Sequence, residues 1–374
     1  MGTVKRIHGG NIREAAENYG LNEKDILDFS ANINPLGPSP RVIKTLIENM
    51  DAVVNYPDPD AKLLRATVSD RLGIPEEMIV AGNGAVEIIY LLMKTMQPRK
   101  ALIPAPTFNE YEIAVRINRG RTKDLLLDEG KGFVLDKEEI FRQWDDTDVI
   151  FICNPNNPTG NLTGRAEMEE IIQRAARLGK CVVIDEAFMD FVADRVNYSA
   201  VELVSKYDNF FVLYSLTKFF AIPGLRLGIG LGNPGIIKRI NEIRDPWNVN
   251  SFAQLAGIES LRDEEFIRSS VEYISGEKEY LYHRIMSVKG LRPFHPSVNY
   301  IFINVEASGY SSAKISRVLG EQGILVRDCG TYKNLRPVYI RVAVKKREEN
   351  DRLVAALNEL GRNLNGTGDQ ALFG

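Results

Sequence analysis

The sequence CVVIDEAF, residues 181–188, runs from four apolar or weakly polar residues that suit a buried strand straight into two acidic side chains. Similar apolar runs of strand length alternate with helical segments through the middle of the chain. They are residues 78–81, 100–104, 149–153, 181–184, 209–214 and 227–232. Continuous apolar strands separated by helices are typical of a largely parallel sheet covered on both faces. The sequence therefore predicts an α/β fold.

Chemically useful residues follow these runs, where open parallel sheets bind ligands at the carboxyl ends of their strands. Gly82-Asn83-Gly84-Ala85 precedes a helix, whose free amides and dipole favour an anion. Phe108 follows the run at 100–104, and an amide-rich loop at 154–160 follows the run at 149–153. Asp185 directly follows a buried strand, where burying its charge costs desolvation energy unless a cation lies nearby. Ser215-Leu216-Thr217-Lys218 comes last, with Arg226 close behind it.

Together these groups are the set that pyridoxal 5'-phosphate (PLP) needs. A lysine amine forms the imine, a carboxylate pairs with the protonated pyridine nitrogen, and an amide donates to the phenolic oxygen. The phosphate takes backbone amides, a hydroxyl and an arginine. A lysine at such a place would by itself be an ordinary surface residue, and it is the company of the other groups that makes Lys218 a candidate for catalysis.

Composition narrows the class of protein. The chain has 374 residues and a formal net charge of −3, which gives no basic field for nucleic acid or an anionic membrane surface. The three cysteines Cys153, Cys181 and Cys329 are expected to be reduced core thiols, and no paired Cys or His spacing suggests a metal site. Residues 1–6 lack an apolar signal segment, so we expect a cytoplasmic protein.

The predicted elements favour two domains. Residues 46–260 are expected to form the large PLP-binding domain. Residues 1–45 and 261–365 are expected to form the smaller α/β domain, and residues 366–374 a flexible tail.

From about Ile26 to Val344 the chain resembles the aspartate-aminotransferase-like class of PLP enzymes. The most specific parts are residues 154–160, 183–187 and 215–218, with Gly224-Leu225-Arg226 after them. The resemblance implies a PLP fold with a mostly parallel central sheet. It also implies that Lys218 is the Schiff-base lysine, that Asp185 meets the ring nitrogen and that Asn157 contacts the ring hydroxyl.

The remaining cofactor contacts come from the same resemblance. Phe108 would stack on the ring, while Ser215, Arg226 and the amides of Gly84 and Ala85 would hold the phosphate. Tyr56 resembles the tyrosine that reaches the phosphate of the neighbouring subunit, which implies a homodimer with shared sites. Two positions depart from the family pattern: Phe188 stands where many members have a tyrosine, and Ala85 where a hydroxyl residue is often found. Asn157 is then the main expected partner of the ring oxygen.

Two branches of this class fit best. Histidinol-phosphate aminotransferases and threonine-phosphate decarboxylases of cobalamin biosynthesis both resemble the chain in Tyr56-Pro57-Asp58-Pro59, in 154–160 and in 323–327. The decarboxylase resemblance extends to His8-Gly9-Gly10-Asn11, to 29–37 and to 215–226. We therefore favour decarboxylation of L-threonine O-3-phosphate. The aminotransferase is the alternative, and a catalytically inactive ligand-binding protein of this fold is disfavoured because we expect no DNA-binding module beside it.

The substrate residues are expected in the smaller domain. Arg341, in Tyr339-Ile340-Arg341-Val342, matches the arginine that binds the substrate α-carboxylate. Arg327 could bind the substrate phosphate bidentately. His8 and Asn32 are further candidates for contacts with the substrate.

Overall fold

The computed structural model describes residues 9–361 in full and the backbone of residues 362 and 363. The described chain divides into a large unit, Leu36–Tyr273, and a small unit made of residues 9–35 and 274–363. The domain bounds expected from the sequence, after residues 45 and 260, remain a proposal. No helix in residues 9–363 is long and apolar enough to cross a membrane.

The described residues form twelve α-helices and thirteen strands. The helices are α1 Ile12–Tyr19, α2 Pro40–Glu48, α3 Lys62–Leu72, α4 Ala85–Met96, α5 Glu110–Ile117, α6 Lys137–Gln143, α7 Arg165–Arg177, α8 Pro234–Ile243, α9 Ser251–Arg262, α10 Glu264–Met286, α11 Ser312–Glu321 and α12 Arg347–Asn363. The strands are β1 Leu27–Asp28, β2 Ile79–Asn83, β3 Lys100–Ala105, β4 Arg121–Leu126, β5 Val149–Cys153, β6 Cys181–Asp185, β7 Phe210–Ser215, β8 Leu227–Gly232, β9 Arg292–Pro293, β10 Tyr300–Asn304, β11 Ile324–Leu325, β12 Arg327–Asp328 and β13 Tyr339–Ala343.

The large unit is built on a seven-stranded sheet in the order β2-β8-β7-β6-β5-β3-β4. Strands β3 to β7 pair in parallel, whereas β8 is antiparallel to both of its neighbours. All residues of β5, β7 and β8 are buried, as expected for strands covered on both faces. The predicted α/β class with a mostly parallel central sheet is confirmed.

Helices α4, α5 and α8 cover one face of this sheet. Their apolar side chains pack against those of the strands in one core, which includes Ile88, Tyr111, Phe151, Leu213 and Ile237. Because β5, β6 and β7 run in the same direction, the loops that follow them leave the sheet at the same edge. That edge carries the loop at 154–160, Asp185 and the segment ending in Lys218.

The small unit contains a four-stranded antiparallel sheet, β12-β13-β10-β9, and a separate parallel pair of β1 with β11. Its register places Arg327 of β12 directly opposite Arg341 of β13. Asn11 caps the N-terminus of helix α1, and its side chain accepts a hydrogen bond from the amide of Glu14. The helix buries Ala15 and Ala16 in a small core with Ile26.

Candidate active site

Asp185 ends β6 as a buried carboxylate held by two neutral donors. Its Oδ2 accepts a hydrogen bond of 2.6 Å from Tyr111 Oη, and its Oδ1 accepts one of 2.9 Å from the amide of Ala187. No Lys, Arg or His of the described residues forms an ion pair with it. Burial raises the pKa of Asp185, against the two donors that lower it. A buried carboxylate without a cationic partner favours a positively charged ligand.

Lys218 follows β7, the strand next to β6. Leu213 of β7 lies opposite Asp185, and the strand ends two residues later at Ser215. Thr217 and Phe219 on either side of Lys218 are buried, while Lys218 itself is partly buried. The buried neighbours fix the backbone of this segment, so that the lysine is carried at the same edge of the sheet as Asp185.

The start of α4 forms an anion cradle. Gly84 precedes the helix with a φ of 82°, a value that favours glycine, and a Cβ on it would lie 2.5 Å from Nη2 of Arg226. A Cβ on Gly228 would lie 2.2 Å from the amide nitrogen of Ala85. These two glycines therefore let the guanidinium and β8 approach the first amides of the helix, where an anion is favoured.

Hydroxyl groups and an arginine complete this cradle. Ser215 lies opposite Gly228 on the neighbouring strand, and its Oγ is 2.9 Å from Thr217 Oγ1, both side chains being buried. Arg226 forms a long contact of 3.5 Å with the carbonyl of Pro223, and no carboxylate of the described residues pairs with it. Amides, hydroxyls and an arginine without an acidic partner suit a phosphate group.

The loop at 154–160 is held by its own amide side chains. Asn154 donates to the carbonyl of Thr163 at 3.0 Å and accepts from the Thr163 amide at 2.9 Å. Asn156 donates to the carbonyl of Pro106 at 3.1 Å and accepts from Thr107 Oγ1 at 2.9 Å. These bonds fix the backbone on both sides of Asn157, whose side chain is partly buried.

Glu186 follows Asp185 and is also buried. Ser199 Oγ donates to its Oε2 at 2.7 Å and the amide of Ala200 donates to its Oε1 at 2.6 Å. Burial raises the pKa of Glu186 to about 7, although the positive charge of Arg195 acts to lower it. These hydrogen bonds attach the segment at 199–200 to the end of β6, so Glu186 stabilises the structure next to Asp185.

Arg327 and Arg341 lie side by side in the small unit. Each is 5% exposed, and they face each other across β12 and β13. Arg341 Nη2 donates to the carbonyl of Ser30 at 2.8 Å, and Arg327 Nη2 donates to Thr331 Oγ1 at 3.3 Å. Burial raises the pKa of the nearby Cys329 thiol to about 12, although the charges of both guanidinium groups act to lower it. Two buried positive charges in register suit a ligand with anionic groups.

Gly9 and Gly10 pack against Ser30, the residue whose carbonyl Arg341 contacts. The amide of Gly10 donates to Ser30 Oγ at 2.9 Å, and a Cβ on Gly9 would lie 2.3 Å from the carbonyl oxygen of Ser30. Glycine at position 9 thus allows close packing against the residue that Arg341 contacts. Asn32 is buried, and its Oδ1 has no hydrogen-bond partner among residues 9–363. The predicted His8 contact lies outside the described residues.

Tyr56 lies on the surface of the large unit. It is 79% exposed and stacks on Trp247, with ring centroids 4.5 Å apart. Arg244 links the loop that carries Tyr56 to the loop that carries Trp247. Its Nη2 donates to the carbonyl of Pro59 at 2.7 Å, and its Nη1 donates to Asn248 Oδ1 at 3.1 Å. Asn248 in turn donates to Glu87 of α4 at 2.7 Å, which links these loops to the anion cradle.

Two residues of this site were missed by the sequence argument. Tyr111 is the second residue of α5, and a tyrosine at such a position is usually an ordinary core residue. No local pattern in the sequence indicates its hydrogen bond with Asp185, 74 positions away. Thr217, whose Oγ1 lies beside Ser215 Oγ, has no feature in the sequence that sets it apart from its neighbours.

The residues present in the large unit fit PLP. Asp185 offers a buried carboxylate that forms no ion pair within residues 9–361, and the turn before α4 with Arg226 and Ser215 offers a phosphate site. Phe108, Asn157 and Lys218 all follow strands at the same edge of the sheet. Metal ligation would need acidic and histidine clusters, whereas this donor set suits an organic phosphate with a protonated ring nitrogen.

Comparison with known proteins identifies relatives over nearly the whole chain. Residues 24–357 match the model of the family aminotransferase class I and II. A Caldanaerobacter subterraneus protein with the provisional name threonine-phosphate decarboxylase is 38% identical over 94% of this chain and 93% of its own length. The threonine-phosphate decarboxylase of Salmonella typhimurium is 35% identical over 96% of this chain and 98% of its own. The crystal structure of the histidinol-phosphate aminotransferase from Clostridium acetobutylicum superposes with a TM-score of 0.85 at 32% identity, covering 90% of this chain and all of that one.

Proposed function

The chain belongs to the class I and II aminotransferase family of PLP-dependent enzymes, and we propose that it decarboxylates L-threonine O-3-phosphate. The product would be (R)-1-amino-2-propanol O-2-phosphate, which serves cobalamin biosynthesis. The observation that carries the proposal is the 35–38% identity over almost the full length to two proteins named threonine-phosphate decarboxylase. The buried pair of Arg327 and Arg341 supports it, because threonine phosphate carries both a carboxylate and a phosphate.

The cofactor would be held by residues of the large unit. Asp185 would pair with the pyridine nitrogen, and Asn157 would donate to the phenolic oxygen, since Phe188 has no hydroxyl for that task. Ser215, Arg226, and the amides of Gly84 and Ala85 would bind the phosphate, and Phe108 would lie against the ring. When bound, PLP supplies an electron sink for the pair of electrons released at the substrate Cα.

The substrate would be bound through its two anionic groups. We assign the α-carboxylate to Arg341 and the phosphate to Arg327, with Asn32 as a further contact. The orientation of these groups decides which bond at Cα breaks. A carboxylate that the two arginines aligned with the electron sink of bound PLP would be lost as CO2, whereas a hydrogen in that alignment would be lost as a proton.

Lys218 would move the proton. In decarboxylation the bond between Cα and the carboxyl carbon breaks, CO2 leaves, and Cα takes one proton from the Lys218 ammonium in its place. In transamination the same amine would remove the Cα proton instead. One lysine can therefore serve either reaction. Arg327 and Arg341 would decide which reaction occurs, because they would orient the substrate.

We also propose that the enzyme is a homodimer in which Tyr56 reaches the cofactor phosphate of the partner subunit. Support comes from an apolar strip on the surface of the large unit that ends at Tyr56. Its members are all exposed, and they are Ile43, Ile47, Met50, Val53 and Val54. Helix α2 turns its buried side, with Val42, toward α9, whereas the side chains of this strip remain exposed in the described chain.

A second candidate function is histidinol-phosphate aminotransfer. The observation that favours it is the likeness to the Clostridium acetobutylicum enzyme, at a TM-score of 0.85 and 32% identity. Its amino-acceptor substrate would also present carboxylates to the arginine pair.

The test is a direct comparison of the two reactions. The PLP-loaded protein is incubated with threonine phosphate, and separately with histidinol phosphate and 2-oxoglutarate. Release of CO2 from the first without glutamate from the second supports the decarboxylase, and the reverse result selects the aminotransferase. Lys218→Ala should abolish either reaction, whereas Lys206→Ala, which changes an exposed lysine of the same unit, should abolish neither.

A further inference from the structure

Tyr111 is the direct partner of the carboxylate assigned to the cofactor nitrogen. It is fully buried, and its Oη donates to Asp185 Oδ2 at 2.6 Å. Burial and the neighbouring carboxylate hold the pKa of Tyr111 well above its usual value, so the hydroxyl keeps its proton. The hydroxyl is therefore a permanent donor that stabilises the ionised form of Asp185.

The ring of Tyr111 is fixed by two other aromatic rings. It stacks on Phe151 of β5, with centroids 4.8 Å apart and an interplanar angle of 12°. Its edge meets Phe108, with centroids 5.5 Å apart and an angle of 81°. The same side chain thus contacts the acid expected at the ring nitrogen and the aromatic residue expected on the face of the cofactor.

We propose that Tyr111 is a positioning residue for PLP, which fixes the carboxylate of Asp185 and the ring of Phe108 against the nitrogen and the face of the pyridine ring. The inference rests on the roles of Asp185 and Phe108 in the proposed function. The phenol donates to one carboxylate oxygen and the Ala187 amide to the other, so both oxygens have a fixed direction. The two donors then stabilise the negative charge of the buried carboxylate, which has no cationic partner in the described part of the chain.

Tyr111→Phe tests this with little change in packing, because the stacked ring remains. Loss of the donor should raise the pKa of Asp185 further and weaken its pairing with the ring nitrogen. Since a hydrogen bond to a charged group contributes about 1.5 kcal/mol or more, PLP affinity should fall about tenfold. We expect kcat to fall with the affinity, while KM for the amino acid changes less than twofold.

The large unit offers a matched control. Tyr90 Oη donates to Glu110 Oε2 at 2.8 Å, which is also a phenol bonded to a carboxylate. Tyr90→Phe should leave PLP affinity unchanged. The readouts are the pKa of Asp185 by carbon-13 NMR of the apo protein, titration of the apo protein with PLP, and the pH dependence of the absorbance of bound PLP.

Asp185→Asn separates this inference from the proposed function. In that background Tyr111→Phe should add no further loss of PLP affinity, because the two residues act through one contact. If Asp185→Asn leaves affinity and absorbance unchanged, the proposed role of Asp185 itself is wrong. If Asp185→Asn weakens PLP but Tyr111→Phe behaves like Tyr90→Phe, the inference about Tyr111 alone is overturned.

Discussion

Glu186 is a buried acid whose protonation is linked to folding. Its pKa is raised by burial from 4.5 to about 7, so the folded chain binds this proton more tightly than the unfolded chain. The stabilisation from the proton is complete below about pH 4.5 and is lost as the pH rises through 7. A difference of this size corresponds to a loss of the order of 3 kcal/mol for a fully buried group.

Glu186→Gln should remove that part of the pH dependence. A glutamine can still accept from the Ala200 amide and can donate to Ser199 Oγ. Urea denaturation at pH 5, 6, 7 and 8 should show that the wild-type protein loses unfolding free energy relative to the variant as the pH rises. Parallel curves for the two proteins would mean that Glu186 is already ionised at low pH.

Arg327 and Arg341 are expected to bind substrate rather than cofactor. Arg327→Ala should therefore raise KM for threonine phosphate by at least tenfold, since a charged hydrogen bond to the phosphate is lost, and leave PLP affinity unchanged. Arg336→Ala is the matched control, because Arg336 pairs with Glu306 on the surface of the same unit. Steady-state kinetics and PLP titration check both. Equal loss of substrate and cofactor in Arg327→Ala would mean that the substrate phosphate is bound elsewhere.

Among the elements, the loop at 55–60 depends on Arg244. The side chain is only 10% exposed and donates to Pro59, Asn241 and Asn248 through three different nitrogens. A lysine cannot reproduce this planar fork. Arg244→Lys should speed hydrogen exchange of the amides at 55–60 and weaken PLP through Tyr56.

Hydrogen-exchange mass spectrometry measures this directly. Arg41→Lys is the control, since Arg41 forms an exposed ion pair with Glu259 in the same unit. Unchanged exchange at 55–60 in Arg244→Lys would show that the stacking of Tyr56 on Trp247 holds the loop without the arginine.

The elements also show how far sequence reasoning reaches. All six apolar runs of the large sheet became strands, because side chains covered on both faces must be apolar. Strand β4 was missed because it is the outermost strand of the sheet and buries only Leu125, while its other residues are polar or, like Leu126, exposed. The break that separates β11 from β12, and so puts Arg327 opposite Arg341, depends on pairing between distant segments that no local pattern reveals.

In the candidate site, too, some positions could be predicted from the sequence and some contacts could not. The positions of Asp185 at the end of β6 and of Lys218 after β7 could be predicted because the end of a parallel strand fixes where the next residues lie. The roles of both residues remain predictions. The bond from Tyr111 to Asp185 joins residues 74 positions apart and could not be predicted. Neither could the neutral partners of Glu186, which come from a loop after the strand.

For the whole molecule, the exposed strip before Tyr56 predicts self-association. Val54 is 80% exposed within it, so Val54→Glu should place a charge in the dimer contact and yield monomer at micromolar concentration. Val196→Glu changes a valine of the same unit that is 58% exposed outside the strip and should leave the dimer intact. Sedimentation equilibrium checks both variants.

PLP affinity gives a second readout of the same change. If Tyr56 reaches the partner's cofactor, Val54→Glu should also bind PLP more weakly than Val196→Glu. A wild-type protein that sediments as a monomer, or a Val54→Glu variant that still dimerises, would contradict the assignment of this strip.

The central claim is that the substrate carboxylate, and not the Cα hydrogen, is lost. The measurement is NMR of the products formed by the PLP-loaded protein from L-threonine O-3-phosphate labelled with carbon-13 in the carboxyl group, in heavy water. We predict that the label appears in CO2 and bicarbonate, in equal amount to an aminopropanol phosphate with one deuterium at the carbon next to nitrogen. Label that remains in the amino acid or appears in a 2-oxo acid, together with exchange of the Cα hydrogen, would contradict the claim and favour aminotransfer.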